Sequence, residues 1–249
     1  MSEFIKPDWP VPLNVNTVST TRKPGVGCAP FDSFNLGLHV NDDPDVVTQN
    51  RAILKSECAL PNLPQWLNQV HGTEIVHISR SSVSVPTADA AWTDSPGCVL
   101  SVMTADCLPV LFASRAGDCV AVAHGGWRGL VNGVLERTVE AMPVDNPAEL
   151  LAWFGPAIGP ECFEVGAEVR QAFVEKSSVF DECFLPTASD PDKYMADIFQ
   201  IGRKCLQSVG VDAVFGGGVC TFQDKDRFFS HRRDGGKTGR MASLIWINS

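Results

Sequence analysis

The sequence predicts one mixed α and β domain of the α+β class, spanning residues 1–249. Three observations predict it. Short apolar, β-rich runs crowd the stretch 63–124, amphipathic helical spacing recurs on either side of them, and no repeat, low-complexity tract or linker divides the chain. A chain of 249 residues, 44% hydrophobic and 20% charged, is long enough to bury a core without a disulfide or structural metal.

Residues 1–40, rich in Pro, Gly and small polar residues, read as short strands and turns. Asp42-Asp43-Pro44 has the form of a helix start, a capping Asp followed by Pro in the first turn. Val46, Val47, Asn50, Leu54 and Cys58 continue at helical spacing until Pro61. The runs WLNQVH, EIVHIS, CVLSVM, LPVLFA and CVAVAH are separated by Gly, Pro, Asp and Ser, and read as strands. Several are apolar on both parities, so both sheet faces are expected to be covered. Leu130, Val131, Val134, Leu135, Val139 and Met142 mark one amphipathic helix. LLAWFG reads as a buried strand leading to the turn GPAIGPECF, followed by helices around 164–176 and at 195–209, the second ending at Gly210. VDAVFGGG, DRFFSH and SLIWI return to strands.

The formal charge of −9 disfavours non-specific binding to nucleic acid or an anionic membrane, which needs a basic face. No apolar stretch approaches the roughly 20 residues of a membrane span. The start, MSEFIKPDWPVPLNV, lacks the basic and apolar regions of a signal peptide, so a cytoplasmic location is expected. The nine cysteines are odd in number, irregularly spaced and free of C-x-x-C, the pattern of reduced core residues.

Three residues are expected at strand ends beside turn glycines or prolines: His71 in NQVHG, Cys107 in TADCLP and His124 in AVAHGGWRG. Two imidazoles and one thiolate suit Zn²⁺ and leave a fourth position open, the mark of a catalytic rather than a structural site. A packed cysteine with two hydrogen-bonded histidines reads equally well. Gly125-Gly126 followed by a helix is a geometry in which backbone N–H groups receive an anion, and Arg128 would hold a phosphate or carboxylate; a plain tight turn with a solvated Arg is the alternative. His231, Arg232, Arg233, Lys237 and Arg240 form the one dense basic cluster, read either as an anion site or as a solvated hairpin. Asp106 is an orienter or proton acceptor beside Cys107, or simply a turn residue.

Six blocks in order, TTRKPGVGCAPFDSFNLGLHVNDDPDVVTQNR, LNQVHG, TADCLPVLF, AVAHGGWRGL, GPAIGPECFEVG and FFSHRRDGGKTGRMASLIWI, resemble the YfiH family of laccase-domain proteins nearly end to end. The resemblance implies an α+β fold of two stacked mixed sheets between helical layers, an αββα order. It implies zinc ligands at His71, Cys107 and His124, and substrate contacts among Arg128, Asn35, His39 and the 231–233 cluster, His231 and Arg233 in particular. Lys23-Pro24-Gly25 stands in place of the family's usual Gly-Gly, Asn41 where Gly is frequent, and His231 where Tyr is common.

The activity so implied is zinc-dependent phosphorolysis of purine nucleosides (adenosine, inosine, guanosine, methylthioadenosine), a transferase reaction, with adenosine deamination, a hydrolase reaction, beside it. A Cys–His amide hydrolase acting on peptidoglycan precursors would use Cys107 as nucleophile and His124 as base. Copper replacing zinc would give polyphenol oxidation, although five histidines are too few for a classical multicopper oxidase. The expected partners are a purine nucleoside and phosphate, with neither nucleic acid nor membrane.

Overall fold

The structure is a computed structural model that describes residues 4–188 and 190–248, so the first three residues of the 1–40 stretch lie outside it. Its largest sheet has six strands. Strands β2 (Ile75–His77), β3 (Ala90–Thr93), β5 (Leu108–Ser114), β6 (Val120–Gly125), β7 (Leu150–Phe154) and β11 (Val214–Gly216) lie in the order β11-β7-β5-β6-β3-β2. A second sheet places β12 (Met241–Ile247) between β1 (Val15–Ser19) and β4 (Leu100–Thr104), antiparallel to both.

Side-chain parity then builds four layers. On β5, Leu108, Val110 and Phe112 point into one core together with residues of the helices α2 (Trp127–Val131), α3 (Val134–Ala141), α4 (Ala167–Lys176) and α5 (Ile198–Gln207). The alternate residues Leu111 and Ala113 face a second core shared with Leu100, Val102, Ile245 and Ile247 of the smaller sheet. The far side of β12, Ala242, Leu244 and Trp246, meets Leu54 of α1 (Pro44–Glu57). The order is therefore helices, sheet, sheet, helix, and β5, buried on both faces, is apolar at both parities as expected.

Where these elements differ from expectation, local chemistry explains it. WLNQVH forms no strand; it contributes one isolated bridge, Asn68 to Thr87, beside the neighbouring Gln65–Leu100 bridge. Gln69 substitutes its side-chain amide for a strand partner, donating to Met103 O at 2.8 Å and accepting Met103 N–H at 2.8 Å. DRFFSH forms no strand; turns flank an irregular stretch at 228–230, and its two phenylalanines are both fully buried rather than alternating. The single helix expected after Gly126 splits into α2 and α3 at Gly133, whose φ of 91° is left-handed.

The expected 164–176 helix yields its first residues to β8 (Glu164–Gly166), and Met195 and Ala196 belong to β10 (Lys193–Ala196). With β9 (Phe184–Pro186) these strands form a third small sheet, β8-β10-β9, too short to leave a periodic signal in sequence. Asp197 then caps α5, accepting from Phe199 N–H and Gln200 N–H at 3.0 Å each. Among the described residues no helix is long and apolar enough to cross a membrane.

Candidate metal centre and its pocket

The turn between β4 and β5 crosses from one sheet to the other and carries Asp106-Cys107. β5 pairs with β6 in a register that sets Leu108 opposite Gly125 and Pro109 opposite His124, so Cys107 and His124 arrive at the same sheet end. His71 comes from a turn with φ of 60°, not from a strand end. One ligand atom from each of His71, Cys107 and His124 lies within 4.8 Å of the others. Cys107 Sγ and His71 Nε2 are 3.7 Å apart, and the two imidazole centroids are 4.7 Å apart at 74°. Two such ligands on one tetrahedral zinc stand about 3.5 Å apart, so these residues fit that ion.

Asp89, which no motif marked, holds this arrangement. It immediately precedes β3, whose pairing with β6 puts it beside His124: His124 N–H donates to Asp89 O at 2.7 Å, and His124 Nδ1 lies 2.8 Å from Asp89 Oδ1. The same carboxylate accepts N–H groups from Val70 at 3.1 Å, His71 at 2.9 Å and Gly72 at 2.6 Å. Burial pushes the Asp89 carboxyl up, but the hydrogen bonds from His124 and Gly72 outweigh it and hold it below the usual carboxylate range. With Nδ1 committed to Asp89, His124 presents Nε2 to the centre, the arrangement in which a carboxylate fixes a ligand's tautomer.

Electrostatics favour the ligand form of the cysteine. Burial raises the Cys107 thiol, but the charge and hydrogen bonds of His124 and His71 outweigh it and bring it down to about 6. Burial lowers His124, yet the Cys107 charge and the Asp89 hydrogen bond lift it to about 9. Without metal the two form a thiolate–imidazolium pair braced by a carboxylate.

The glycines of GGWRG permit close approach. A Cβ on Gly126 would stand 2.5 Å from His71 Cδ2 and 3.4 Å from Cys107 Sγ, and one on Gly125 would stand 2.9 Å from Leu108 O. The helix that follows is a single short element of five residues.

The trio borders a cavity of about 380 Å³, large enough for a nucleoside-sized ligand. Trp127, Ile158, Phe163 and Ile198 supply apolar lining; His39, His231, Arg128, Arg232 and Arg240 supply polar groups. Arg128 is exposed, its guanidinium over the Trp127 ring at 4.4 Å. His39 is pulled below its usual value by burial and then by the charges of Arg240 and Arg51.

Three residues expected at the site do other work. Asn35 is fully buried and lies outside the cavity; it donates to Gly37 O and Asp42 Oδ2 and accepts from the N–H groups of Gly37 and Arg240. Arg233 is committed to Asp234 and to the carbonyls of Thr221, Phe222 and Phe228. Asp106 borders the cavity, but its carboxylate turns from Cys107 to accept from Thr221 Oγ1 at 2.6 Å, Ser230 Oγ at 3.1 Å and Arg232 N–H at 2.7 Å, so it braces the basic segment.

Residues 16–248 match the family described as multi-copper polyphenol oxidoreductase laccase. The chain is 50% identical over 247 residues to the purine nucleoside phosphorylase YfiH of Escherichia coli, covering 99% of this chain and 100% of that one. It is 51% identical to the purine nucleoside phosphorylase PA4543 of Pseudomonas aeruginosa, with 99% of each covered. Among solved structures, it is similar to the Neisseria meningitidis protein NMB0706, with a TM-score of 0.94, 46% identity and 99% of each chain covered.

Proposed function

The chain belongs to the YfiH family, described as multi-copper polyphenol oxidoreductase laccase, and from that premise we propose that it is a zinc-dependent purine nucleoside phosphorylase. The observation that carries this reading is a cavity that joins the His71–Cys107–His124 trio to three arginines, Arg128, Arg232 and Arg240, which have no carboxylate partner among the described residues.

Phosphorolysis joins a phosphate oxygen to ribose C1′ while the C1′–N9 bond breaks and its electron pair leaves with the base. Positive charge grows on the sugar, and an anion held against it lowers the barrier. Arginine is suited to deliver that anion through bidentate hydrogen bonds. Arg128, His39 and His231 are the proposed contacts to phosphate and ribose, and the apolar lining shields the purine from water. His71, Cys107 and His124 would hold the zinc, and Asp89 keeps two of them in place. When bound, zinc supplies a Lewis acid with one open coordination position, and copper is its expected substitute. Hydrolytic deamination of adenosine is proposed as a second activity of the same pocket. All nine cysteines are unpaired, in keeping with a reducing cytoplasm.

A second reading draws on the Cys107–His124–Asp89 chain itself, which is the arrangement of a Cys–His amide hydrolase acting on peptidoglycan precursors. One thiolate does not serve as metal ligand and free nucleophile at once, so metal occupancy separates the two.

The test is base release from inosine and adenosine by metal-assayed protein, with and without phosphate. Phosphate-dependent release of hypoxanthine or adenine, lost in Cys107→Ala, is the expected result. Absence of turnover in fully zinc-loaded protein moves the assignment to the hydrolase, to be assayed on peptidoglycan precursors.

A further inference from the structure

Three arginines border the cavity, and they are held differently. Arg128 is exposed and stacked on Trp127. Arg232 is exposed, and its Nη1 donates to Glu164 O at 2.7 Å. Arg240 is the most buried of the three. Its backbone N–H is fixed by Asn35 Oδ1 at 2.9 Å, and its Nη1 donates to the carbonyls of Thr238 at 2.9 Å and Gly239 at 3.1 Å. Among the described residues, Nε and Nη2 have no protein acceptor and no carboxylate pairs with the guanidinium.

A partly buried guanidinium held rigid by neutral carbonyls and left without a counter-charge is costly unless an anion arrives. Arg22, Arg170, Arg227 and Arg233 each meet an aspartate; Arg51 and Arg203, like Arg240, meet only backbone carbonyls, but neither borders the cavity. The anions whose fields reach Arg240 are Cys107 and Asp106. Both are engaged otherwise, Cys107 as a fitted metal ligand and Asp106 through its three hydrogen bonds. The His39 ring flanks the same place: a Cβ built on Gly37 would lie 3.0 Å from Arg240 Cγ and 3.3 Å from His39 Cε1.

We propose that Arg240, with its free Nε and Nη2 donors and His39 beside it, is the main binding residue for a tetrahedral oxyanion, inorganic phosphate, next to the metal trio. This rests on the phosphorylase reading for its meaning, though not for the binding itself. Arg128 then sits at the outer edge of the cavity, and Arg233 takes no part.

Two measurements on zinc-loaded protein test it: phosphate KM at saturating inosine, and direct calorimetric binding of inorganic phosphate. Arg240→Gln is expected to raise the phosphate KM about tenfold or more, the effect of losing charge-assisted hydrogen bonds. The inosine KM should stay within about threefold and the zinc content should be unchanged. Arg128→Gln should shift the phosphate KM by less than Arg240→Gln. If Arg240→Gln does not fold by circular dichroism, Arg240→Lys, which keeps the charge and loses the planar fork, is read in the same way. Equal phosphate binding by wild type and variant overturns the proposal, as does no phosphate binding by the wild type. Phosphate binding that is lost in Arg240→Gln, in a protein without phosphate-dependent turnover, upholds this site and overturns the phosphorylase reading alone.

Discussion

Asp89 Oδ1 lies 2.8 Å from His124 Nδ1, and the same oxygen accepts His71 N–H at 2.9 Å. One fully buried carboxylate thus sets the tautomer of one metal-trio histidine and the left-handed backbone of another. Asp89→Asn replaces an acceptor with an amide that cannot satisfy His124 and the Val70–Gly72 N–H groups together. A 10–100-fold loss in zinc affinity is expected, measured by chelator competition. Unchanged affinity would show that packing alone aligns the trio.

Gly126→Ala tests the interlocking of the two turns. The added Cβ would stand 2.5 Å from His71 Cδ2, a distance at which the ring must move. Zinc content and base release should fall together, while the thermal midpoint drops by only a few degrees, because the strain sits at the cavity rather than in a core layer. A variant that retains its full metal content would show that the His71 turn yields freely.

Asp106→Ala separates bracing from proton transfer. Its carboxylate holds Thr221, Ser230 and the Arg232 N–H, so its removal loosens the segment that carries His231 and Arg232 into the cavity. The expected outcome is a higher substrate KM and a destabilisation of about 1–3 kcal/mol from the unsatisfied groups, measured by urea unfolding. The pH profile of kcat should keep its shape; a lost limb in that profile would make Asp106 a proton-transfer group.

His39 makes stability depend on pH near neutrality. Burial, and then Arg240 and Arg51, hold its folded value below the ordinary 6.5. As pH falls past 6.5, the unfolded chain takes up the proton before the folded one, so stability declines with acidification until the folded value is passed. His39→Gln should flatten the stability curve through that window, as followed by denaturant midpoints from pH 7.5 downward. An unaltered slope would assign the dependence elsewhere.

Much of the site was legible in the string because close-packed chemistry leaves short, dense signals. QVHG, ADC and HGGWRG each set a ligand type beside turn residues, and the resemblance to the YfiH family selected the same three positions. The long apolar strands β5, β6 and β7 were equally plain, since burial on both faces demands an unbroken apolar run. The WLNQVH segment misled because a side-chain amide can imitate a strand neighbour, as Gln69 does against Met103. Asn35 and Arg233 misled because a polar residue in a dense motif serves a loop as readily as a ligand.

The sequence by itself determined the composition of the layers and marked His71, Cys107 and His124 as candidate ligands and 231–240 as a basic cluster, because side-chain chemistry and local periodicity are written in the order of residues. Only the tertiary structure decided that Asp89 orients the trio, that a Cβ at Gly126 would meet His71, and that among the described residues Arg240, unlike Arg233, has no carboxylate partner. Those facts depend on contacts between segments distant in the chain, and a hydrogen bond 35 residues long in sequence has no period to announce it.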